Sequence, residues 1–472
     1  MYNVKSFKAE EFINHDEILE TLKYAETNKS NAQLIGEIIE KAKLRKGLSH
    51  REAAVLIDCD IEEKNKEIFH LAEQIKKDFY GNRIVMFAPL YLSNYCINGC
   101  VYCPYHLKNE HIMRKKLTQE EIRREVIALQ DMGHKRLAIE SGEHPEFNPI
   151  EYILESIETI YSIKHKNGAI RRVNVNIAAT TVENYKKLKN AGIGTYILFQ
   201  ETYHKESYQK LHPTGPKHDY DYHTEAMDRA MQGGIDDVGV GVLFGLELYR
   251  YEFAGLLMHA EHLEAALGVG PHTISVPRIR QADDIDPSVF DNSISDDIFA
   301  KIVACIRISV PYTGLIVSTR ESKKCRERVL HLGVSQLSGG SRTSVGGYAE
   351  PEPEDEKSEQ FDVVDTRPLD QIVNWLIELG YIPSFCTACY SEGRTGDRFM
   401  SLCKSGQIQN CCHPNALMTL KEYLEDYSSE ETRKIGNELI LREINNIPND
   451  KVRQIVLKNL EEIRKGSRDF RF

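Results

Sequence analysis

The sequence predicts an α/β protein built on a closed (βα)8 barrel, with a helical extension before the barrel and a helix-rich unit after it. Short β-rich runs alternate with amphipathic segments from residue 83 onward, as parallel βα units do. Eight such runs occur in about 260 residues, the number and spacing of a closed barrel. The flanking regions instead carry apolar residues at three-to-four spacing, which is typical of helices.

Residues 1–80 form the predicted N-terminal helical segment. The stretches NAQLIGEIIEKAKL and IEEKNKEIFHLAEQIKKDFYG place apolar residues between Glu and Lys at helical spacing. No residue pattern in this segment indicates chemistry.

Residues 81–347 form the predicted barrel. Its strands are RIVMFAPL (83–90), RLAIES (136–141), RVNVNIA (172–178), TYILFQ (195–200), DDVGVGVLF (236–244), HTISVPRI (272–279), GLIVSTR (314–320) and VSQLSGG (334–340). Between the first two, Thr118 and Glu121 fit a helix capping box and Gly133 a helix stop. Reactive groups of such barrels collect where the strands end.

An acidic, proline-bearing stretch, residues 348–368, is expected to be a solvated linker or lid. The C-terminal unit, residues 369–472, follows it. That unit contains a second group of cysteines and ends in a charged helix.

Composition limits the function classes. A hydrophobic content of 41%, no apolar run of about 20 residues and no signal-peptide core predict a cytoplasmic protein without a membrane segment. A net charge of -11 argues against nucleic acid and favours small molecules or proteins as partners. The 11 cysteines are too sparse for a disulfide scaffold, and Cys59, Cys305 and Cys325 are expected to be small buried side chains.

Three cysteines, Cys96, Cys100 and Cys103, follow the first predicted strand. They could form a zinc knuckle with His106, and their spacing does not exclude it. Three thiolates can also hold three irons of a [4Fe–4S] cluster and leave the fourth iron open. With Tyr102 before the last cysteine, C-x3-C-x2-C resembles the signature of the radical S-adenosylmethionine (SAM) superfamily, in which the open iron binds SAM.

That resemblance implies further SAM contacts. Ser141, Gly142 and Glu143 end the second strand where the superfamily has a Gly-Gly-Glu motif, with serine replacing the first glycine. Four polar residues at the ends of the third and fourth strands are further candidates for the ribose and sulfonium region: Asn174, Asn176, Gln200 and Glu201.

The second cysteine group has the spacing C-x2-C-x22-C and comprises Cys386, Cys389 and Cys412. Cys403 or Cys411 could complete a four-cysteine zinc ribbon. The alternative is a second cubane cluster with one open iron.

Together the two groups resemble the HydG family of radical SAM tyrosine lyases, which mature [FeFe]-hydrogenase. The barrel half, with FQETYH at 199–204, is also similar to ThiH, a 2-iminoacetate synthase of thiazole synthesis that lacks the second cysteine region. A non-catalytic scaffold delivering iron or zinc is the alternative from another class.

The HydG resemblance implies that L-tyrosine is cleaved at Cα–Cβ to p-cresol and dehydroglycine. Dehydroglycine would then give carbon monoxide and cyanide on an additional iron, held with free cysteine at a second [4Fe–4S]-type cluster in the C-terminal unit. It also implies a ferredoxin or flavodoxin as electron donor and hydrogenase-assembly proteins as recipients.

Arginine is suited to the tyrosine carboxylate because its planar guanidinium donates two parallel hydrogen bonds. Arg320 is the first candidate, followed by Arg278 and Arg280, and for each the alternative is an ion pair with a barrel glutamate. His272 begins the sixth predicted strand, where a lone histidine is usually an ordinary core or surface residue. The family resemblance implies that it binds the additional iron, which requires the second cluster at the opposite mouth of the barrel.

Overall fold

Eight parallel strands form a closed barrel in the computed structural model, which describes residues 1–350, 358–405 and 409–472. Each strand pairs with the next, and the eighth pairs with the first, so the predicted barrel is confirmed. The strands are β1 (Arg83–Ser93), β2 (Arg136–Ser141), β3 (Arg172–Asn176), β4 (Tyr196–Glu201), β5 (Val238–Val242), β6 (Thr273–Ser275), β7 (Gly314–Val317) and β8 (Gln336–Ser338).

Side-chain alternation along each strand decides which residues face the barrel interior. On β2, Ala138 and Glu140 line cavities inside the barrel, whereas Leu137 and Ile139 pack in the hydrophobic core. Phe87, Pro89 and Tyr91 of β1 line the same interior. The barrel interior therefore has an apolar middle, and polar side chains lie toward the ends of the strands.

Helices surround the barrel. They are Gln119–Asp131, Ile150–Ser162, Val182–Asn190, Lys205–Leu211, Tyr220–Thr224, Ala226–Gln232, Tyr249–Leu267, Asp296–Ser309 and Lys323–Leu332, with short 3-10 turns at Pro216–His218 and Pro287–Val289 and a ribbon of Lys164–His165 with Gly168–Ala169. The first of these helices begins with the predicted capping box, because Thr118 and Glu121 each accept the other's backbone N–H. Gly133 follows its end with φ of 101°, a conformation that favours glycine.

The N-terminal region is helical, as predicted, over Ala9–Phe12, His15–Asn28, Ala32–Ala42, His50–Asp58 and Glu62–Tyr80. His50 is buried between two carboxylates, with Nε2 3.0 Å from Oε1 of Glu17 and Nδ1 2.8 Å from Oε2 of Glu261. Glu261 belongs to the barrel helix Tyr249–Leu267. This histidine therefore joins the N-terminal helices to the barrel.

The C-terminal region contributes a strand that the sequence analysis did not predict. Strand β9 (Ile382–Ser384) pairs in parallel with the start of β1, aligning Ile382 with Arg83 and Ser384 with Val85. It brings Cys386, two residues later, beneath the amino-terminal mouth of the barrel. The helices of this region are Leu369–Glu378, Ala388–Ser391, Gly396–Lys404, Gln409–Asp426, Glu430–Ile444 and Asp450–Arg464.

The acidic stretch 351–357, the centre of the predicted linker, lies outside the described residues. Its described flanks are partly exposed and partly buried. Phe361 is buried against Arg320, and Asp365 is buried in ion pairs with Arg326 and Arg367. Ion pairing and aromatic stacking explain why an acidic segment packs here. None of the described helices combines the length and apolarity that crossing a membrane demands.

Candidate active site

A cavity of about 150 Å³, the upper cavity, opens where the barrel strands end. The loop after β1 brings Cys96, Cys100 and Cys103 to its wall. Eight other predicted residues line the same cavity: Tyr102, Ser141, Gly142, Glu143, Asn176, Glu201, Arg280 and Arg320. The structure thus gathers most of the predicted cofactor and substrate residues around one space.

The cysteine loop packs tightly against the turn after β2. The backbone N–H of Ile97 donates to the Glu143 carbonyl at 2.8 Å, and Asn98 Nδ2 donates to Glu143 Oε2 at 2.6 Å. Gly142 has no room for a side chain, since a Cβ there would lie 2.4 Å from the Tyr95 carbonyl oxygen and 3.1 Å from Cys96 Cβ. The second glycine of the motif is therefore required by close approach to the cysteine loop.

A buried ion pair adds charge to this cavity. Lys217 Nζ donates to Glu201 Oε1 at 2.8 Å, and both side chains line the wall. Burial alone would lower the pKa of Lys217, but Glu201 and the Cys100 thiol raise it above its usual value. Glu201 has φ of 66°, an unusual conformation for a residue other than glycine.

The cysteine thiols are strongly desolvated. Burial raises the pKa of Cys103 to about 12 and that of Cys100 further. Deprotonating them requires a strong local positive charge, which a metal centre provides. All ten cysteines whose side chains are described are free, and Cys59, Cys305 and Cys325 are buried as expected.

Two of the predicted SAM contacts do not line the cavity. The side-chain oxygen of Asn174 accepts the backbone N–H of Thr195 at 3.0 Å, and Gln200 Nε2 donates to Thr224 Oγ1 at 2.8 Å. Both side chains form hydrogen bonds with neighbouring strands or helices instead. His106, the possible fourth zinc ligand, is also turned away, with Nε2 3.1 Å from Asp284 Oδ2.

The three candidate arginines differ in their partners. Arg278 forms ion pairs with Glu321 and Asp296 and is absent from the described cavity wall. The pair with Glu321 is the glutamate ion pair that was the alternative for this arginine. Arg280 lines the cavity but donates to Glu321 at 2.5 Å. Arg320 lies with its guanidinium carbon 3.5 Å from the centre of the Phe361 ring. Of the three, it alone has no ion pair in the part of the chain that the structure describes.

A second cavity, the lower cavity, lies at the opposite mouth of the barrel. Cys386, Cys389, Cys412 and His272 line it together with Arg83, Arg136, Gln336 and four other residues: Tyr80, Val85, Ser384 and Thr387. The thiols of Cys389 and Cys412 are in hydrogen-bond contact, and Arg136 donates to the Cys386 carbonyl at 2.9 Å. Burial lowers the pKa of His272, which favours the neutral imidazole that a metal requires.

The zinc-ribbon alternative gains no fourth cysteine from these residues. Cys411 is absent from the described wall of the second cavity, and the side chain of Cys403 lies outside the described part of the chain.

Comparisons with known proteins agree with this geometry. The radical SAM superfamily matches residues 90–254, and the Biotin and Thiamin Synthesis associated domain matches residues 275–382. The chain is 30% identical over 348 residues to 2-iminoacetate synthase of Salmonella typhimurium, covering 73% of this chain and 89% of that protein.

Solved structures match nearly the whole chain. A crystal structure of HydG, a maturase of the [FeFe]-hydrogenase, is 57% identical with a TM-score of 0.94, covering 98% of this chain and all of that one. The chain belongs to the HydG family of radical SAM enzymes. HydG from Carboxydothermus hydrogenoformans is 40% identical with a TM-score of 0.83, covering 96% of this chain and 99% of that one.

As a radical SAM enzyme of the HydG family, the chain requires a [4Fe–4S] cluster and SAM. The upper cavity fits both groups. Cys96, Cys100 and Cys103 present three thiols to this space. Gly142, whose lack of a side chain lets the cysteine loop approach, and Glu143 lie on the same wall. His106 contacts Asp284 and does not join these three thiols.

Sequence reasoning missed several residues of this cavity. Glu140 and Tyr91 could have been found from strand alternation, because each lies two residues after an inward-facing residue of its strand, Ala138 and Pro89. Lys217 lies in the 3-10 turn Pro216–His218 and Phe361 in an irregular segment, and no local pattern marks them. Only the folded chain brings them to the barrel interior.

Proposed function

We propose that this HydG-family enzyme cleaves L-tyrosine to p-cresol and dehydroglycine and converts dehydroglycine to carbon monoxide and cyanide for [FeFe]-hydrogenase maturation. The observation that carries the proposal is the pair of thiol-lined cavities at opposite mouths of one barrel. The near full-length similarity to a maturase of the [FeFe]-hydrogenase supports it.

In the proposed first reaction, the upper cavity binds tyrosine beside SAM. When bound, the [4Fe–4S] cluster and SAM supply a deoxyadenosyl radical that takes one hydrogen atom from the substrate. Ser141, Glu143, Asn176 and Glu201 would hold SAM, and the guanidinium of Arg320 would bind the tyrosine carboxylate. The closed barrel would keep water from the cleaved fragments.

In the proposed second reaction, dehydroglycine reaches the lower cavity through the barrel interior. Cys386, Cys389 and Cys412 would hold a second [4Fe–4S]-type cluster, and His272 would bind an additional iron together with free cysteine. Arginine side chains on this wall suit the carboxylates of dehydroglycine and free cysteine. Soft sulfur ligands suit an iron that must bind carbon monoxide and cyanide.

The remaining parts of the proposal rest on family similarity. A ferredoxin or flavodoxin would donate the electron, and hydrogenase-assembly proteins would receive the iron-bound product. We also propose the domain division inferred from the sequence: residues 1–80, 81–347, 348–368 and 369–472.

A second candidate is a 2-iminoacetate synthase, which the similarity to the Salmonella typhimurium enzyme favours. Such an enzyme would release p-cresol but neither carbon monoxide nor cyanide. The lower thiol-lined cavity, which that activity does not use, favours the first proposal. A non-catalytic iron or zinc scaffold would leave SAM uncleaved.

The test is turnover of anaerobically reconstituted protein with L-tyrosine, SAM and dithionite. Chromatography measures p-cresol and deoxyadenosine, and infrared spectroscopy measures carbon monoxide and cyanide. All four products support the proposal, and p-cresol alone supports the 2-iminoacetate synthase. Uncleaved SAM, with zinc in place of iron, would support the scaffold.

A further inference from the structure

One acidic and one basic side chain, Glu140 and Arg320, share the barrel interior. Both line the upper cavity and a deeper compartment of about 100 Å³ beneath it. Glu140 projects from β2, and Arg320 follows the end of β7. Within residues 1–350, 358–405 and 409–472, neither side chain forms an ion pair. The described contacts are weaker: Glu140 is hydrogen-bonded to Asn176, and Arg320 stacks on Phe361.

The rest of the deeper compartment is neutral. Glu140 and Arg320 are the only charged residues on its described wall. Apolar side chains make up much of the remainder: Phe87, Ala138, Ile197, Phe199, Val276 and Ile316. In such surroundings Glu140 ionises only beside a close cation, and Arg320 has no carboxylate partner among the described residues. A ligand carrying both signs would satisfy both residues at once.

We infer that Glu140 recognises the α-ammonium group of the amino-acid substrate while Arg320 binds its carboxylate, with the aromatic side chain in the neutral compartment. This inference rests on the proposed function and adds a specificity residue to it. An α-amino acid with an apolar ring has the two charges and the uncharged surface that this wall presents. A carboxylic acid lacking the amino group would leave Glu140 without a partner.

The protonation of Glu140 gives the inference a distinct signature. Burial raises the pKa of Glu140 to about 8, although Arg320 and Asn176 act in the opposite direction. The carboxyl group therefore holds a proton at pH 7 before substrate binds. The other titratable residue on the wall of the deeper compartment is Tyr91, whose pKa is raised by burial. The upper cavity, which Glu140 also lines, adds Glu143, Glu201, Lys217, His223 and Arg280. An arriving ammonium favours the carboxylate, so binding should release close to one proton.

The experiment is calorimetric titration of anaerobically reconstituted, SAM-bound protein with L-tyrosine and with 3-(4-hydroxyphenyl)propanoate, its analogue without the amino group. Titrations at pH 7 in buffers of different ionisation enthalpy count the protons released. Wild-type protein should bind L-tyrosine about 10- to 100-fold more tightly than the analogue and release close to one proton. Binding of the analogue should release none.

The Glu140→Gln variant should bind L-tyrosine about 10- to 100-fold more weakly, without proton release, and bind the analogue as wild type does. Glu125→Gln is a matched control, because Glu125 is a buried barrel carboxylate that accepts the backbone N–H of Tyr348 outside both compartments. It should leave both affinities unchanged.

Unchanged L-tyrosine affinity and proton release in Glu140→Gln would overturn the inference and leave the proposed function standing. Failure of wild-type protein to bind L-tyrosine would overturn the proposed function itself. If Glu140→Gln does not fold, the wild-type comparison decides. Equal affinity for both ligands, or no proton release with L-tyrosine, would then overturn the inference.

Discussion

The buried ion pair between Lys135 and Glu422 should be a principal link between the barrel and the C-terminal region. Lys135 directly precedes β2, and Glu422 lies in the helix Gln409–Asp426. The two side chains are 2% and 1% exposed, so solvent screens neither charge. Glu422 also accepts the backbone N–H of Asp469 at 2.6 Å.

Replacing Glu422 with glutamine should reduce the free energy of unfolding by about 3–5 kcal/mol, because it leaves a buried ammonium without its partner. Neutralising a lysine of ordinary pKa at pH 7 costs about 4–5 kcal/mol, which caps the loss. Glutamine still accepts the Asp469 N–H, so the variant isolates the charge. Lys135→Met should cost less, because Arg171, 3.7 Å from the same carboxylate oxygen, remains as a partner of Glu422.

The double variant Lys135→Met/Glu422→Gln buries no uncompensated charge and should cost much less than the sum of the two single changes. Urea unfolding followed by Trp375 fluorescence measures this, because Trp375 is the only tryptophan of the chain and is buried in the C-terminal helix Leu369–Glu378. We expect a coupling energy of about 2 kcal/mol or more. Additivity of the two changes within about 0.5 kcal/mol would refute the reasoning.

Three further outcomes are expected. Gly142→Ala should weaken SAM binding about tenfold in equilibrium dialysis, because the added Cβ would overlap a backbone carbonyl. The control Gly36→Ala should leave SAM binding unchanged, because the nearest atom that its Cβ would meet is 3.8 Å away. Burial alone would lower the pKa of His50, but the hydrogen-bonded carboxylates of Glu261 and Glu17 outweigh burial and raise that pKa above 6.5. The stability that wild type gains over His50→Gln should therefore be complete below about pH 6.5 and fall as pH rises through the folded-state pKa; thermal midpoints with a pH-independent difference would contradict this. Arg320→Lys should lower kcat/KM for tyrosine about 10- to 100-fold in p-cresol assays and leave SAM affinity intact; an unchanged kcat/KM would exclude a bidentate contact.

The sequence contained enough information to predict the barrel, because strand runs and helix caps are local. Thr118 and Glu121 form their capping box from residues three positions apart. The cysteine motifs were equally local. Their meeting in two cavities depended on the number and order of the strands, which the alternating pattern also supplied.

Long-range contacts were not predictable in this way. Strand β9 is only three residues long, and the pairing with β1 that stabilises it joins positions about 300 residues apart. Phe361 reaches the upper cavity from an irregular segment and Lys217 from a 3-10 turn, and neither belongs to a periodic pattern. Asn174 and Gln200 were expected at the cavity because they are polar residues near strand ends. Each side chain instead forms a hydrogen bond with a neighbouring element inside the protein.

The central claim is that the two thiol-lined cavities carry out separate parts of one reaction sequence. Its most direct test compares Cys96→Ala with Cys386→Ala in anaerobic turnover, measuring p-cresol by chromatography and iron-bound cyanide by infrared spectroscopy. We expect Cys96→Ala to abolish p-cresol, and Cys386→Ala to retain p-cresol formation while losing iron-bound cyanide. Equal loss of p-cresol in both variants would contradict the claim.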